Sequence, residues 1–210
     1  VKTLLHIETF ILGPLATNAY LITGPDRRKA VIIDPGVNPA SLIERIEGLE
    51  IEAILLTHAH FDHIGGVEEI RKIKGCPVYI HGAEADWLTD AAKNGSLMWP
   101  DLGGPVTAGP AEHILEDGQL LKLLGMEWQV FHTPGHSPGS VSFHIGDFLF
   151  GGDVLFRLSV GRTDLPGGSM RELYESIHSK LFTLPDHVQV YPGHGPQTTI
   201  GFEKLNNPYV

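Results

Sequence analysis

Three imidazoles and a carboxylate fall within six positions in His58-Ala59-His60-Phe61-Asp62-His63, between the apolar run Ile54-Leu55-Leu56 and a helical pattern beginning near Ile64. Neutral imidazole nitrogen and carboxylate oxygen are the usual protein donors to a borderline-soft divalent ion where no thiolate is offered. The segment is therefore a metal-binding cluster first, and a fold that uses it has to bring further ligands to the strand end that carries it. His58 and His60 are two apart, so in an extended chain both point to one side and can grip one ion. Asp62 and His63 come as the chain turns into the helix, which aims them at a second, nearby point. Gly65-Gly66 lets that helix start close to the sheet.

Three later segments share one design: apolar strand, glycine, ligand-type side chain. Thr133-Pro134-Gly135-His136-Ser137-Pro138-Gly139 displays a histidine on a proline-glycine turn, Phe150-Gly151-Gly152-Asp153 ends in a carboxylate, and Tyr191-Pro192-Gly193-His194-Gly195 closes the last strand with another histidine. Taken singly, a histidine after a strand is more often a hydrogen-bonded structural residue. Together, five histidines and two aspartates at strand ends supply two metal ions and leave an open position for water, the arrangement hydrolytic sites need. His6, His81, His113, His132, His144, His178 and His187 lack ligand spacing and are expected to be structural or surface groups. Trp87, Met98 and Trp99 are expected to pack in the core or a loop, with the lining of a substrate entrance as the alternative.

The rest of the chain bounds what such a cluster can belong to. With 210 residues and 42% hydrophobic content, one domain spanning 1–210 is the expectation. Glycine and proline are spread as single residues, with no low-complexity block and no repeat at solenoid spacing. The net charge of −10 lacks the footprint of a nucleic-acid binder and disfavours a polyanionic substrate. No stretch is long and apolar enough to span a bilayer, so no membrane partner is expected. Val1-Lys2-Thr3-Leu4-Leu5 starts like a secretory signal, but His6 and Glu8 interrupt it before an apolar region forms. A single cysteine, Cys76, excludes an internal disulfide and fits a reducing compartment, so a cytoplasmic location is expected. Nothing in the sequence speaks to oligomeric state.

Short β-type runs dominate: residues 19–23, 30–34, 53–57, 77–81, 119–123, 127–133, 140–145, 148–151 and 187–191. Helical patterns lie between some of them. Asn38-Pro39 offers a cap and a first-turn proline before Leu42, Ile43 and Ile46. Ile64, Val67, Ile70 and Ile73 make a second stripe. Ser169 with Glu172 forms a capping-box pattern ahead of Leu173, Ile177 and Leu181. Strands and helices alternate, so the class is mixed α/β, with two sheets packed face to face and helices outside.

In this order, His-x-His-x-Asp-His at 58–63, Gly-His-Ser-Pro-Gly at 135–139, Gly-Gly-Asp at 151–153 and Pro-Gly-His-Gly at 192–195 resemble the metallo-β-lactamase superfamily through nearly the whole chain. The stretch Ser159-Val160-Gly161-Arg162-Thr163-Asp164-Leu165-Pro166-Gly167-Gly168 looks like its glyoxalase II-like (hydroxyacylglutathione hydrolase-like) branch, as do Thr198-Thr199-Ile200-Gly201-Phe202-Glu203 and Asn207-Pro208. The resemblance implies an αββα sandwich of two mixed β-sheets with helices on the outer faces and metals at one edge. Carried over by motif, His58, His60 and His136 would hold a first metal, and Asp62, His63 and His194 a second, with Asp153 bridging. Asp62 is also the residue implied as catalytic. Asp34, in Ile32-Ile33-Asp34-Pro35-Gly36, resembles a position that orients the ligand loop from behind, with a plain turn-forming aspartate as the alternative. Zinc is the expected metal, and iron and manganese suit the same donors.

Such a site implies hydrolysis of a small-molecule thioester or ester, with S-lactoylglutathione the first candidate, by hydroxide held at the metals. A thiolate leaves as a stable anion and needs no strong acid, and the motifs supply no dedicated acid. Full-length glyoxalase II enzymes carry a C-terminal helical segment that binds glutathione. Here 16 residues follow His194, so that glutathione site is expected to be largely absent, with Lys204 the one basic candidate for substrate binding. The alternatives are persulfide dioxygenase with one iron, a lactonase or other ester hydrolase, a β-lactamase, or a metal-holding module without turnover.

Overall fold

In the computed structural model, which describes residues 4–102 and 104–210, the β-branched and aliphatic runs pair into two six-stranded sheets. The first contains β1 (His6–Leu12), β2 (Thr17–Thr23), β3 (Lys29–Ile33), β4 (Glu50–Leu55), β5 (Val78–His81) and β6 (His113–Leu115), side by side in chain order. The β1-β2-β3 meander is antiparallel, and β3 to β6 run parallel. Parallel neighbours need crossovers. These carry α1 (Ala40–Arg45) between β3 and β4, and α2 (Phe61–Ile64) and α3 (Val67–Lys74) between β4 and β5.

The second sheet is built from β7 (Leu120–Leu123), β8 (Met126–His132), β9 (Val141–Ile145) and β10 (Phe148–Gly152) as a meander. A two-stranded ribbon follows, β11 (Leu155–Phe156) and β12 (Ser159–Val160), then α4 (Met170–Ser179). The chain returns as β13 (Gln189–Pro192), parallel to β10, and closes with β14 (Thr198–Thr199) and α5 (Ile200–Asn206).

Alternation along the strands explains the layering. On β2 and β3, Tyr20, Ile22, Val31 and Ile33 face one buried cluster, and Leu21 and Ile32 face another. Both sides of the strands are therefore apolar, and both have to be covered. The inner cluster joins Leu55 and Val31 to Trp128, Val130, Phe143 and Phe150 of the second sheet. The outer cluster of the first sheet packs on Leu42, Ile46, Val67 and Ile70, and that of the second sheet sets Leu149 and Val190 against Leu173, Ile177 and Ile200. The result is the αββα sandwich of two mixed sheets that the resemblance implied.

Several local expectations change. Asn38 does not cap α1: it takes a left-handed φ of 57°, and Pro39 is the residue ahead of the helix. The stripe beginning at Ile64 is two helices, because the chain breaks at Gly65-Gly66, and Ile73 is 53% exposed rather than part of the core. Ser169 caps α4 by accepting the Glu172 N–H, but its own N–H donates to Gly135 O at 2.8 Å, so the reciprocal half of the capping box is replaced by a tertiary bond. The strands β1, β6, β11, β12 and β14 and the helix α5 were not foreseen. Val1 to Thr3 of the stretch weighed as a secretory signal lie outside the described residues. Among the described residues, no helix is long and apolar enough to cross a membrane.

Candidate metal centre

The seven ligand-type residues converge at one edge of the sandwich. His58 and His60 follow β4, Asp62 and His63 lie on α2, His136 sits on the β8–β9 turn, Asp153 follows β10 and His194 follows β13. Their donor atoms form two groups, His58, His60 and His136 on one side and Asp62, His63, Asp153 and His194 on the other, each with ligand atoms within 4.8 Å of one another. Asp153 Oδ2 sits between them, 3.1 Å from His63 Nε2, 3.4 Å from His136 Nε2 and His194 Nε2, and 3.8 Å from His58 Nε2. Asp62 Oδ2 lies 3.3 Å from His63 Nε2 and 3.2 Å from His194 Nε2.

Partners outside the cluster fix which ring nitrogen faces inward. Thr57 gives its only hydroxyl proton to Asp34 Oδ2 at 2.6 Å, so toward His58 Nδ1 at 3.0 Å it can only accept. The Nδ1 proton of His58 is thereby placed, and Nε2 is left with its lone pair toward the cluster. His136 Nδ1 donates to Arg162 O at 2.7 Å, His194 Nδ1 to Leu15 O at 3.2 Å, and His63 Nδ1 to Asp34 Oδ2 at 2.9 Å. His60 differs, turning Nδ1 inward to within 2.9 Å of His136 Nε2. Asp34 thus braces both Thr57 and His63. It does so from a left-handed φ of 52°, which aspartate tolerates better than most residues.

Burial and charge set the protonation of this cluster. Burial, aided by the neighbouring His63, holds His58 well below the ordinary histidine range, and burial with His136 brings His60 down to about 3. For His63 burial acts in the same direction, yet the carboxylates of Asp153, Asp62 and Asp34 outweigh it and push the imidazole well up. His194 is likewise raised to about 9 against burial, by hydrogen bonds to Asp153 and Asp62. Burial opposes ionisation of Asp62 and Asp153, but His63 and His194 hold both carboxyls below their usual range.

The donor set fits divalent ions. His58 Nε2 and Asp153 Oδ1 are buried without a hydrogen-bond partner, an arrangement that costs about 1–3 kcal/mol per group unless something else satisfies them. Both atoms belong to the cluster, and its five imidazoles and two carboxylates offer only nitrogen and oxygen donors, as zinc, iron and manganese sites do. The backbone is shaped around the same point. A Cβ on Gly193 would lie 2.0 Å from Asp153 Oδ1 and one on Gly161 would lie 1.7 Å from Asp153 O, so only glycine lets these loops pass.

One buried group escaped the sequence reading. Glu84, fully buried after β5, accepts the Ala59 N–H at 2.8 Å, the Ser137 hydroxyl at 2.7 Å and the Gly139 N–H at 2.6 Å. It ties the loop of His58 and His60 to the loop of His136. Its burial raises its pKa, partly countered by those same donors. No spacing signal marks it, since its partners are 25 to 55 positions away.

A cavity of about 290 Å³ opens over the cluster, walled by Phe61, Met98, Trp99, Leu165 and Pro166 among others. Met98 and Trp99 therefore line an entrance, against the packing role expected of them. Trp87 instead packs on the first sheet's outer cluster and 5.8 Å from the His60 ring. Lys204 does not line this cavity: its Nζ pairs with Asp186 at 2.8 Å on α5. The seven other histidines join no metal-type group among the described residues. His81 stacks on His132 at 4.2 Å, and His187 pairs with Asp147 at 2.9 Å.

Fold and site together define a class. The family model of the metallo-beta-lactamase superfamily matches residues 12–194, and the chain belongs to that superfamily. It is 45% identical over 203 residues to a probable metallo-hydrolase of Bacillus subtilis, YqgX, covering 95% of this chain and 94% of that one. It is 34% identical to the hydroxyacylglutathione hydrolase GloC of Haemophilus influenzae, covering 98% of each. Among solved structures, the BLEG-1 B3 metallo-beta-lactamase is similar at 48% identity and a TM-score of 0.92, covering 97% of this chain and 99% of that one. TTHA1623 in a di-iron-bound form is similar at 41% and 0.85, covering 97% and 100%. ETHE1 from Myxococcus xanthus is similar at 29% and 0.79, covering 97% and 83%.

Proposed function

We propose that this chain is a two-metal hydrolase of small thioesters. The observation that carries the proposal is the meeting of two ligand groups at Asp153 Oδ2, beneath a cavity of substrate size. His58, His60 and His136 would hold one ion and Asp62, His63 and His194 the other, with Asp153 Oδ2 lying between the two groups. When bound, such ions lower the pKa of water toward about 7 and polarise a carbonyl. Zinc is the first metal to test; the di-iron-bound relative makes iron the second.

The chain's own residues orient and enclose. Asp34, Thr57, Arg162 and Leu15 hold the imidazoles in the tautomers that face the cluster. Asp153 and Asp62 keep the centre anionic enough to retain cations, and the apolar walls exclude bulk water. Outside the cluster, the titratable side chains lining the cavity are Lys93 and Arg162, both already paired with carboxylates. Among the described residues, no carboxyl group outside the cluster lines the cavity to protonate a poor leaving group, which favours a thiolate over an amine. The likeness to GloC supports a thioester substrate. The single buried Cys76 supports a reducing, cytoplasmic setting.

A second reading, β-lactam hydrolysis, rests on the likeness to BLEG-1. Metal analysis of the purified protein, run with a panel of S-lactoylglutathione, a neutral thioester, a lactone, a β-lactam and glutathione persulfide, separates these readings. We expect close to two ions per chain and thioester cleavage. Oxygen uptake with the persulfide, or β-lactam turnover without thioester turnover, would replace the proposal.

A further inference from the structure

The cavity is walled in a way that separates two kinds of thioester. Leu15, Phe61, Met98, Trp99, Leu165 and Pro166 form its sides above the histidine and aspartate base. Leu15 and Met98 are 37% and 56% exposed, so apolar surface already faces whatever enters. The Trp99 and Phe61 ring centroids are 6.2 Å apart with planes 32° from parallel, and Phe61 is pinned by its N–H to Asn94 O at 3.0 Å. Trp99 in turn rests on Gly95, where a Cβ would come 3.5 Å from its ring.

Both cations of the wall have a carboxylate partner at the surface. Arg162 gives Nε and Nη2 to Asp164 at 2.7 and 2.8 Å, and Lys93 pairs with Asp86. Each pair is neutral as a unit, and a net charge of −10 adds no pull on a carboxylate. A glutathione thioester brings carboxylates on its peptide arm, and to bind them here Arg162 or Lys93 would have to be drawn from the carboxylate it already pairs with.

We propose that the site selects thioesters with an uncharged, apolar acyl group, which lies against Trp99, Met98 and Phe61 while the carbonyl faces the cluster. This rests on the hydrolytic reading above, and makes Trp99 and Met98 specificity-determining residues. In the reaction the oxygen of water bonds to the carbonyl carbon as the carbon–sulfur bond breaks. The products are a carboxylate and a thiol, with one proton released to solvent.

The test compares acetyl, butanoyl and hexanoyl thioesters of N-acetylcysteamine with S-lactoylglutathione, using metal-loaded protein. Each methylene fully taken from water is worth a factor of about four, so the four methylenes between acetyl and hexanoyl raise kcat/KM by about 250-fold if all are buried and by about tenfold if fewer than half of them are. Trp99→Ala and Met98→Ala lower that hexanoyl-to-acetyl ratio toward one at unchanged metal content. A flat series, a ratio untouched by both substitutions, or S-lactoylglutathione as the best substrate overturns the proposal. Calorimetric binding of hexanoate and acetate keeps the two readings apart. If no thioester is cleaved, the hydrolytic reading falls. Tighter binding of hexanoate that is lost in Trp99→Ala then still supports the apolar subsite, and equal binding sinks both.

Discussion

With four imidazole nitrogens within 3.8 Å of one Asp153 oxygen, replacing that carboxylate removes the acidic atom that faces both ligand groups. Asp153→Ala is expected to lose metal as well as activity, and elemental analysis showing full occupancy would contradict the bridging role. Asp34→Asn is subtler: asparagine also accepts the left-handed backbone there, but it has one acceptor oxygen where both Asp34 oxygens are used, so the charge and one acceptor behind Thr57 and His63 are lost. Such outer partners are worth about 10–100-fold in metal affinity, which a competition titration with a chelator measures. His194 gives a pH dependence. Its pKa in the ion-free fold, about 9, stands above the ordinary 6.5, so the stability it contributes is full below about 6.5 and is lost as pH rises through 9. Chelated protein should therefore melt at lower temperature at pH 9 than at pH 6.5, and His194→Asn should flatten that slope; an equal slope in the variant assigns it elsewhere. At this scale the seven ligand-type residues that meet at the cluster were legible because short motifs carry them. Glu84 was not, since burial and three distant donors define it.

Among the elements, the segment between Trp87 and Ser96 and the stretch of chain at Val106 are joined by one buried amide. Asn94 donates to Trp87 O at 3.1 Å and Val106 O at 2.8 Å and accepts the Ser96 N–H at 3.0 Å, while its own carbonyl takes the Phe61 N–H. Asn94→Ala keeps the backbone bond to Phe61 but strands Trp87 O and the Ser96 N–H, so a loss of about 1–3 kcal/mol is expected in denaturant unfolding, with KM rising more than kcat falls. A variant as stable as the parent, with unchanged KM, would show that the wall does not depend on it. Strong periodicity made α4 and most strands of both sheets readable. The edge strands β1, β6 and β14 were missed for a common reason: they are short or only half-buried, so alternation leaves little trace in them. The helix at Ile64 misled because a stripe of apolar residues continues across Gly65-Gly66, where the backbone breaks to pass Val37.

For the molecule as a whole, stability rests on the inner cluster, where Phe143 and Trp128 meet Val31 and Leu55 across the sandwich. Phe143→Ala is expected to cost about 3–5 kcal/mol in denaturant unfolding. A loss under about 1 kcal/mol would mean that the sheets repack around the gap. Layer order was legible because each half of the chain gives several strands and then helices, which fits two sheets face to face with helices outside. The seam at the metal edge was not, since its bonds join opposite ends of the chain: Asn18 to Pro192 and Gly195, and Tyr20 to Pro192. That seam gives the ligand division a further meaning. His58, His60, Asp62 and His63 come from the first sheet's half of the chain, and His136, Asp153 and His194 from the second. In the proposed arrangement, neither ion has a full set of donors until the halves have docked. Ion uptake then works as a clock for assembly, reaching its full set of donors only when the two sheets close on each other.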